Sequence, residues 1–216
     1  MRESDAGPRA ILMALADSRL PIGGHVHSGG VEEAVASGLV RDIATVEQYL
    51  RRRIGTSGLV AASLAAAVCA GELGIARAEA EADARTPSPA ARAASRAQGR
   101  GLLRLAKQLW PQRDWRDMGT RPHLSTVFGA VGAAARVTPV EIAGVVVYTT
   151  LTGAATAAQR LLALDPAAIA ACTLRMSELC DRIAVEAAAE LAALSDPLQD
   201  ELAERHRHRE MPLFAS

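Results

Sequence analysis

Apolar residues crowd nearly every face of the stretch from Thr138 to Leu164, TPVEIAGVVVYTTLTGAATAAQRLLAL. A helix that is hydrophobic all round has to be buried on all sides. Thr138, Pro139 and Glu141 mark its start: an N-cap, a proline at the first helical position and an acidic residue at the third, the set that meets the free N–H groups there. Asp165-Pro166 marks its stop. The pattern predicts a buried central helix over about Pro139 to Leu164. A membrane span competes for the same residues, but Glu141, Thr149, Thr150, Thr152, Gly153 and Gln159 interrupt the roughly 20-residue apolar run that crossing a bilayer needs, which favours a core helix.

Helical spacing recurs on both sides of this element. Ile11 to Ala16 makes a short apolar turn or helix, and Ser28 caps a helix that runs through Glu32 and Glu33 to Gly38. Thr45 with Gln48 reads as a capping box for the next helix, through Tyr49, Leu50 and Ile54, and Gly58 to Ala70 is another. Glu72 to Pro89 alternates acids with alanine, as a solvated helix and then a loop. Ser88-Pro89 restarts a helix that reaches Pro111, with Leu102, Leu103, Leu105, Ala106 and Leu109 at helical spacing and arginines on the other faces. Gln112 to Pro122 is polar and irregular, and a helix of small residues starts near His123. After the central helix, Asp165 caps and Pro166 opens one long amphipathic helix through Ile169, Leu174, Leu179, Ile183 and Val185 to about Leu194. The end, LQDELAERHRHREMPLFAS, is a charged segment tipped by MPLFAS and is expected to be a mobile docking tail over about His206 to Ser216.

Composition turns these elements into a fold class. Half of the 216 residues are hydrophobic but only 3% are aromatic, so the core has to be made of closely packed helices with small side chains. The sequence reads as all-α, one helical bundle over residues 1–216. Basic and acidic residues balance at 24 each, so there is no bulk field to gather nucleic acid or anionic lipid. Near-zero net charge favours association with other proteins instead. Cys69, Cys172 and Cys180 are an odd number with no CxxC spacing and read as buried reduced thiols of the cytosol. The N-terminus has no long apolar region before a cleavage site, so secretion is not expected.

Candidate chemistry is sparse. His25 and His27 stand two apart, as do His206 and His208; such pairs share a face on an extended loop but not on a helix. A small helical metal carrier or metalloenzyme using His25, His27 and Glu32 is the alternative reading, with His123 as the only sequence-remote further ligand. No GxSxG and no lysine-bearing phosphate loop occurs, and Glu32 and Glu33 suit the first turns of a helix. Neither a catalytic set nor a cofactor is indicated. The glycine-rich segment 17–30 does stand out, because a proline and four glycines within ten residues ask for unusual dihedrals or close approach.

At LADSRLPIGGHVHSGGVEEAV the sequence resembles the urease accessory protein UreF family, whose N-terminal segment has the form S-x-x-L-P-x-G-[AG]-x-x-x-S-x-G-x-E. Ser18, Leu20, Pro21, Gly23, Gly24, Ser28, Gly30 and Glu32 occupy those places. The likeness continues at ASRAQGRGLLRLA (Ala94 to Ala106), at PHLSTVFGAVGAAA (Pro122 to Ala135) with YTTLTGAATAAQRLLAL behind it, and at the terminal PLFAS. The resemblance implies an all-α, homodimeric, cytoplasmic helper without an active site, which bridges the GTPase UreG and the accessory protein UreD (also called UreH) at urease apoprotein while the nickel centre is loaded. It implies a partner-binding surface made of Leu20, Pro21, Gly23, Gly24, Ser28, Gly30, Glu32, Leu213 and Phe214.

Overall fold

The computed structural model describes residues 9–22, 27–194, 196–210 and 212–214 and is all-α, without a strand among them. The chain runs through α1 (Arg9–Ala16), α2 (Val31–Ala36), α3 (Ile43–Arg53), a π turn (Ile54–Gly58), α4 (Leu59–Ala70), α5 (Ile75–Ala84), α6 (Pro89–Leu109) and a 3-10 turn (Arg116–Met118). It continues through α7 (Leu124–Ala135), α8 (Pro139–Leu162), α9 (Pro166–Arg175), α10 (Ser177–Ala189) and α11 (Pro197–Arg207). Helix starts follow the caps that the sequence carries. Ser88 and Asp165 accept from the backbone N–H groups of Ala91 and Ala167, and Asp196 does the same for Gln199 at the head of α11. At α8 the box is reciprocal: Thr138 Oγ1 accepts from the Glu141 N–H while Glu141 Oε2 accepts from the Thr138 N–H.

Helix α8 is the central element, flanked by α4 and α10 and touched by α1, α2, α3, α7 and α9. It is not buried on all sides as its composition suggests. Ile142, Val146, Leu151, Ala155 and Ala158 face the core, but Val140 and Tyr148 are exposed. The half-buried Thr149, Thr150 and Thr152 donate their hydroxyls to carbonyls one turn back and so need no partner from another element. Both Pro139–Leu162 and the continuous rod Ile43–Ala70 are long and apolar enough to cross a membrane by length and composition. Half or more of each apolar window is packed inside the protein, as in a core helix.

Four other expectations change. The α3 capping box belongs to Asp42, which accepts from the Thr45 N–H at 2.8 Å; Thr45 is the third helical residue and Gln48 takes no part. Helices α3 and α4 are one rod joined by the π turn rather than two helices. The long helix after Pro166 breaks at Met176, whose side chain is fully buried, and ends at Ala189. Inside the polar stretch 112–122, Trp115 and Met118 are core residues, and the Trp115 indole N–H donates to the Trp110 carbonyl.

Small side chains let the helices close up. At Gly129 on α7, an added Cβ would lie 2.5 Å from the Ala65 carbonyl oxygen of α4 and 2.6 Å from Val68 Cβ. Neither backbone nor a β-branched stem can step aside, so Gly129→Ala is expected to lower unfolding free energy by about 2 kcal/mol, read as a shifted denaturant midpoint with unchanged slope. An unchanged midpoint would show that the α4–α7 approach is looser than described.

Candidate functional site

The residues singled out near the two ends of the chain come together. Glu32, in the first turn of α2, is 3% exposed, and its carboxylate is the acceptor for the C-terminal segment. Oε1 accepts from the Leu213 N–H at 2.8 Å, and Oε2 accepts from the Phe214 N–H at 3.0 Å and faces His206 Nε2 at 2.9 Å. Arg209 adds its guanidinium, 3.5 Å from Glu32 and 3.1 Å from Glu33. Burial pushes the Glu32 carboxyl up, but the amides of Leu213 and Phe214, the His206 hydrogen bond and the His206 charge outweigh it. The carboxyl is held below its ordinary value.

Three other contacts set the entry to α2. Ser28, buried, accepts from the Glu32 N–H at 3.4 Å, so it caps the helix from two residues before the N-cap, which is Gly30. Gly29 and Gly30 take left-handed dihedrals, φ 60° and 86°. The Gly29 carbonyl accepts from the Tyr49 hydroxyl at 2.9 Å and from Arg53 Nη1 at 2.6 Å, and Gln199 of α11 accepts from the same two donors. Beside them, the buried carboxylate of Asp196 accepts from Arg52 and Thr56, which ties the head of α11 to the rod. Its other end is tied to α6, where Glu204 accepts from the Ser88 hydroxyl and the Ala90 N–H.

The described residues of the C-terminal segment are therefore packed on the protein's own fold, where the sequence pattern predicts a free tail. His206 lies within α11 and is buried, and Phe214 is 6% exposed with Arg160 of α8 5.0 Å above its ring. The reason is that a buried carboxylate needs donors, and an aromatic ring with two successive amides can supply the cover and the hydrogen bonds from one short piece. Leu213 points the other way, 76% exposed. The nine expected partner-binding residues thus divide. Ser28, Gly30, Glu32 and Phe214 are buried, Leu20 is half-buried, Pro21 and Leu213 are exposed, and Gly23 and Gly24, like His25, lie outside the described residues. A cavity of about 340 Å3 opens beside this seam, lined by residues that include Leu15, Leu20, His27, Thr149, Gly153 and Phe214.

The metal alternative loses its remote ligand. His123 is buried with both ring nitrogens occupied, by Asp83 at 2.9 Å and Ser95 at 3.0 Å, and Glu32 is committed to the C-terminal segment. Among the described residues no group of three or more His, Cys, Asp or Glu side chains is placed to hold a metal ion. Sequence reasoning missed Tyr49, Arg53, Asp196 and Gln199. In the sequence Arg53 ends the run Arg51-Arg52-Arg53, which has the pattern of a solvated helix face and gives no sign of a buried partner.

Fold and site define a class, an all-helical protein whose C-terminal segment is stapled onto its glycine-rich N-terminal segment by a buried carboxylate. Comparison with known proteins narrows that class. The family model described as UreF matches residues 40–177. Over 205 residues the chain is 65% identical to the urease accessory protein UreF of Mycobacterium sp. (strain JLS), covering 95% of this chain and 97% of that one. It is 65% identical over 210 residues to the UreF of Mycolicibacterium vanbaalenii (96% and 98% covered) and 58% identical over 207 residues to that of Mycobacterium tuberculosis strain H37Ra (96% and 98%). The chain belongs to the UreF family of urease accessory proteins.

Two outcomes follow from the seam. Glu32→Gln keeps the shape but places an amide against donors, so about 3 kcal/mol of stability should be lost and hydrogen exchange at the Leu213 and Phe214 amides should accelerate. Because the folded carboxyl titrates below its ordinary value, its contribution is present above the unfolded value and lost as pH falls through the folded one. Stability of the unaltered protein should accordingly fall in acid more steeply than that of Glu32→Gln, and equal slopes would remove Glu32 from this role. For Gly30→Val, the left-handed backbone and the Tyr49 hydroxyl, 2.9 Å from where a Cβ would stand, predict loss of folding together with any binding. Circular dichroism of the variant checks this, with intact helical content and cooperative melting as the contrary result.

Proposed function

We propose that this chain is a non-catalytic adaptor of urease maturation. It bridges a UreG-type GTPase and a UreD/UreH-type accessory protein at urease apoprotein during GTP-dependent loading of the nickel centre. It acts as one unit over residues 1–216, as a homodimer, in the cytoplasm. The observation that carries this reading is the similarity to urease accessory proteins over nearly the whole chain. The geometry gives it a form. Of the residues proposed to meet partners, the buried set, Ser28, Gly30, Glu32 and Phe214, holds the seam rigid, while Leu20, Pro21 and Leu213 offer apolar surface on its outside. Gly23 and Gly24 belong to the same proposed surface.

The role of the C-terminal segment differs from that of a free tail. A segment already fixed on its own protein presents Leu213 without having to be ordered by the partner, which lowers the entropic cost of association. Reconstitution tests the reading: mixed with purified UreG-type and UreD-type proteins, the chain should co-elute in one complex that activates urease apoprotein with nickel and GTP. Leu213→Ala should weaken that complex by about 1 kcal/mol or more without changing the melting temperature. Stoichiometric tight nickel binding by the isolated chain, or GTP turnover without the GTPase, would overturn the adaptor reading.

A further inference from the structure

We propose that the flank of α6 carrying Arg100, Arg104 and Lys107 is a docking surface for an acidic segment of a protein partner. The proposal rests on the adaptor reading and adds to it the chemistry of one contact.

The cations of α6 recur at Arg92, Arg96, Arg100, Arg104 and Lys107, a turn or nearly a turn apart, which sets them along one side of the helix. Partners within the chain answer the first two. Arg96 pairs with Glu79 at 2.8 Å and with Asp83 at 2.9 Å, and Arg92 lies 3.7 Å from Asp83. Helix α5 offers these acids from Glu79 to Asp83, and nothing acidic continues the row. Arg100, Arg104 and Lys107 are exposed and have no ion-pair or hydrogen-bond partner among the described residues. Several arginines elsewhere pair at helical spacing, as with Arg51–Glu47, Arg77–Glu81 and Arg205–Glu201. On α6 three successive cations stand unpaired in a row about 10 Å long.

Position argues that the row belongs to an interface. Gly101 lies between Arg100 and Arg104, and a Cβ there would stand 2.9 Å from the Ile22 Cα, so the glycine-rich segment crosses α6 in direct contact. At about 100° per residue, Arg104 sits about 60° and Arg100 about 100° round the helix from that crossing, both on the same side. The row therefore runs alongside the segment that exposes Pro21 and continues the proposed partner surface. Charge selects the occupant. The chain carries 24 basic and 24 acidic residues, so no long-range field gathers nucleic acid or anionic membrane. Three cations over three helical positions match carboxylates one turn apart on a partner's helix, or alternate carboxylates on an extended loop.

The test is the triple charge reversal Arg100→Glu, Arg104→Glu, Lys107→Glu, with circular dichroism and melting to verify folding. Purified UreG-type GTPase, UreD-type accessory protein and urease apoprotein serve as separate probes, at about 50 mM and about 500 mM salt. At low salt, affinity for one of these proteins should fall about tenfold or more, and high salt should weaken the unaltered protein's binding to that same probe. The conservative Arg100→Lys, Arg104→Lys form should retain binding. Equal binding of every probe by the charge-reversed protein overturns the docking surface while leaving the adaptor reading intact. No complex with the unaltered protein overturns both. Charge-dependent binding confined to heparin, to vesicles rich in phosphatidylserine or to a second copy of this chain would also overturn it, by assigning the row to a different occupant.

Discussion

A carboxylate removed from water has to be met by hydrogen-bond donors, and Glu32 is the place where this protein accepts that constraint. Its position on α2 is forced by the chain before it: Ser28 and two left-handed glycines turn the backbone so that the helix begins with Glu32 facing inward. Everything at the other end of the chain then has to arrive in register. His206 must lie on the inner side of α11, Arg209 must reach back to Glu32 and Glu33, and the chain must turn so that the Leu213 and Phe214 amides fall on separate carboxylate oxygens. The backbone bends at Leu213 and Phe214, so that two successive amides face one carboxylate. At this bend Phe214 is turned into the fold and Leu213 is turned out.

This constraint could not be met on a loose support, and the support comes from α11. The helix is fixed at its head by Asp196 to Arg52 and Thr56, in its first turns by Gln199 to Tyr49 and Arg53, and further along by Glu204 to Ser88. For Asp196, burial raises the carboxyl while Arg52 and Thr56 lower it, and the lowering prevails, so the charged form is the one the fold favours. Taking the Asp196 carboxylate out of water costs energy that its half-exposed Arg52 partner and Thr56 only offset, so the contact adds little net stability compared with apolar packing, but losing a donor is costly. These polar contacts are better suited to specifying where α11 sits than to holding the core together, which the alanine and glycine contacts between α4, α7 and α8 already do.

Much of the fold was legible in the sequence because its signals are local. Thr138, Pro139 and Glu141 at α8, Ser88-Pro89 at α6 and Asp165-Pro166 at α9 each mark a helix start with side chains a few residues apart. What failed to show were features decided by tertiary contact. Met176 ends a helix because its side chain is taken into the core, and nothing in ACTLRMSELCDR announces that. Tyr148 is exposed on a helix whose composition says buried, since periodicity cannot tell which neighbour is missing. At the seam, Glu32 and Phe214 were singled out through the family resemblance and the apolar tip of the chain. Their direct partnership spans nearly the whole sequence, and a charged run ending in MPLFAS has the composition of a free tail. The arginines Arg52 and Arg53 look solvated for the same reason, as their acceptors lie about 140 residues further on.

The π turn explains how one rod serves both purposes. In α3 the residues Arg52 and Arg53 have to face α11, while in α4 the side from Leu59 to Ala66 has to face α7 and α8. An unbroken α-helix keeps a single register, in which the polar side of α3 would continue along α4. The wider π turn over Ile54–Gly58 inserts an extra residue and rotates everything after it by about 100°. Thr56 Oγ1, inside the turn, stands 2.8 Å from the Arg52 carbonyl oxygen and 2.7 Å from Asp196, so its one proton is shared between the rod and the head of α11. Gly58 leaves room for Thr150 of α8, 3.5 Å from where its Cβ would stand, so α8 passes close to the turn itself. Core register and seam register are thus set independently within a single helix, and a local change of pitch is what allows the glycine-rich and C-terminal segments to be held on a bundle packed by alanine.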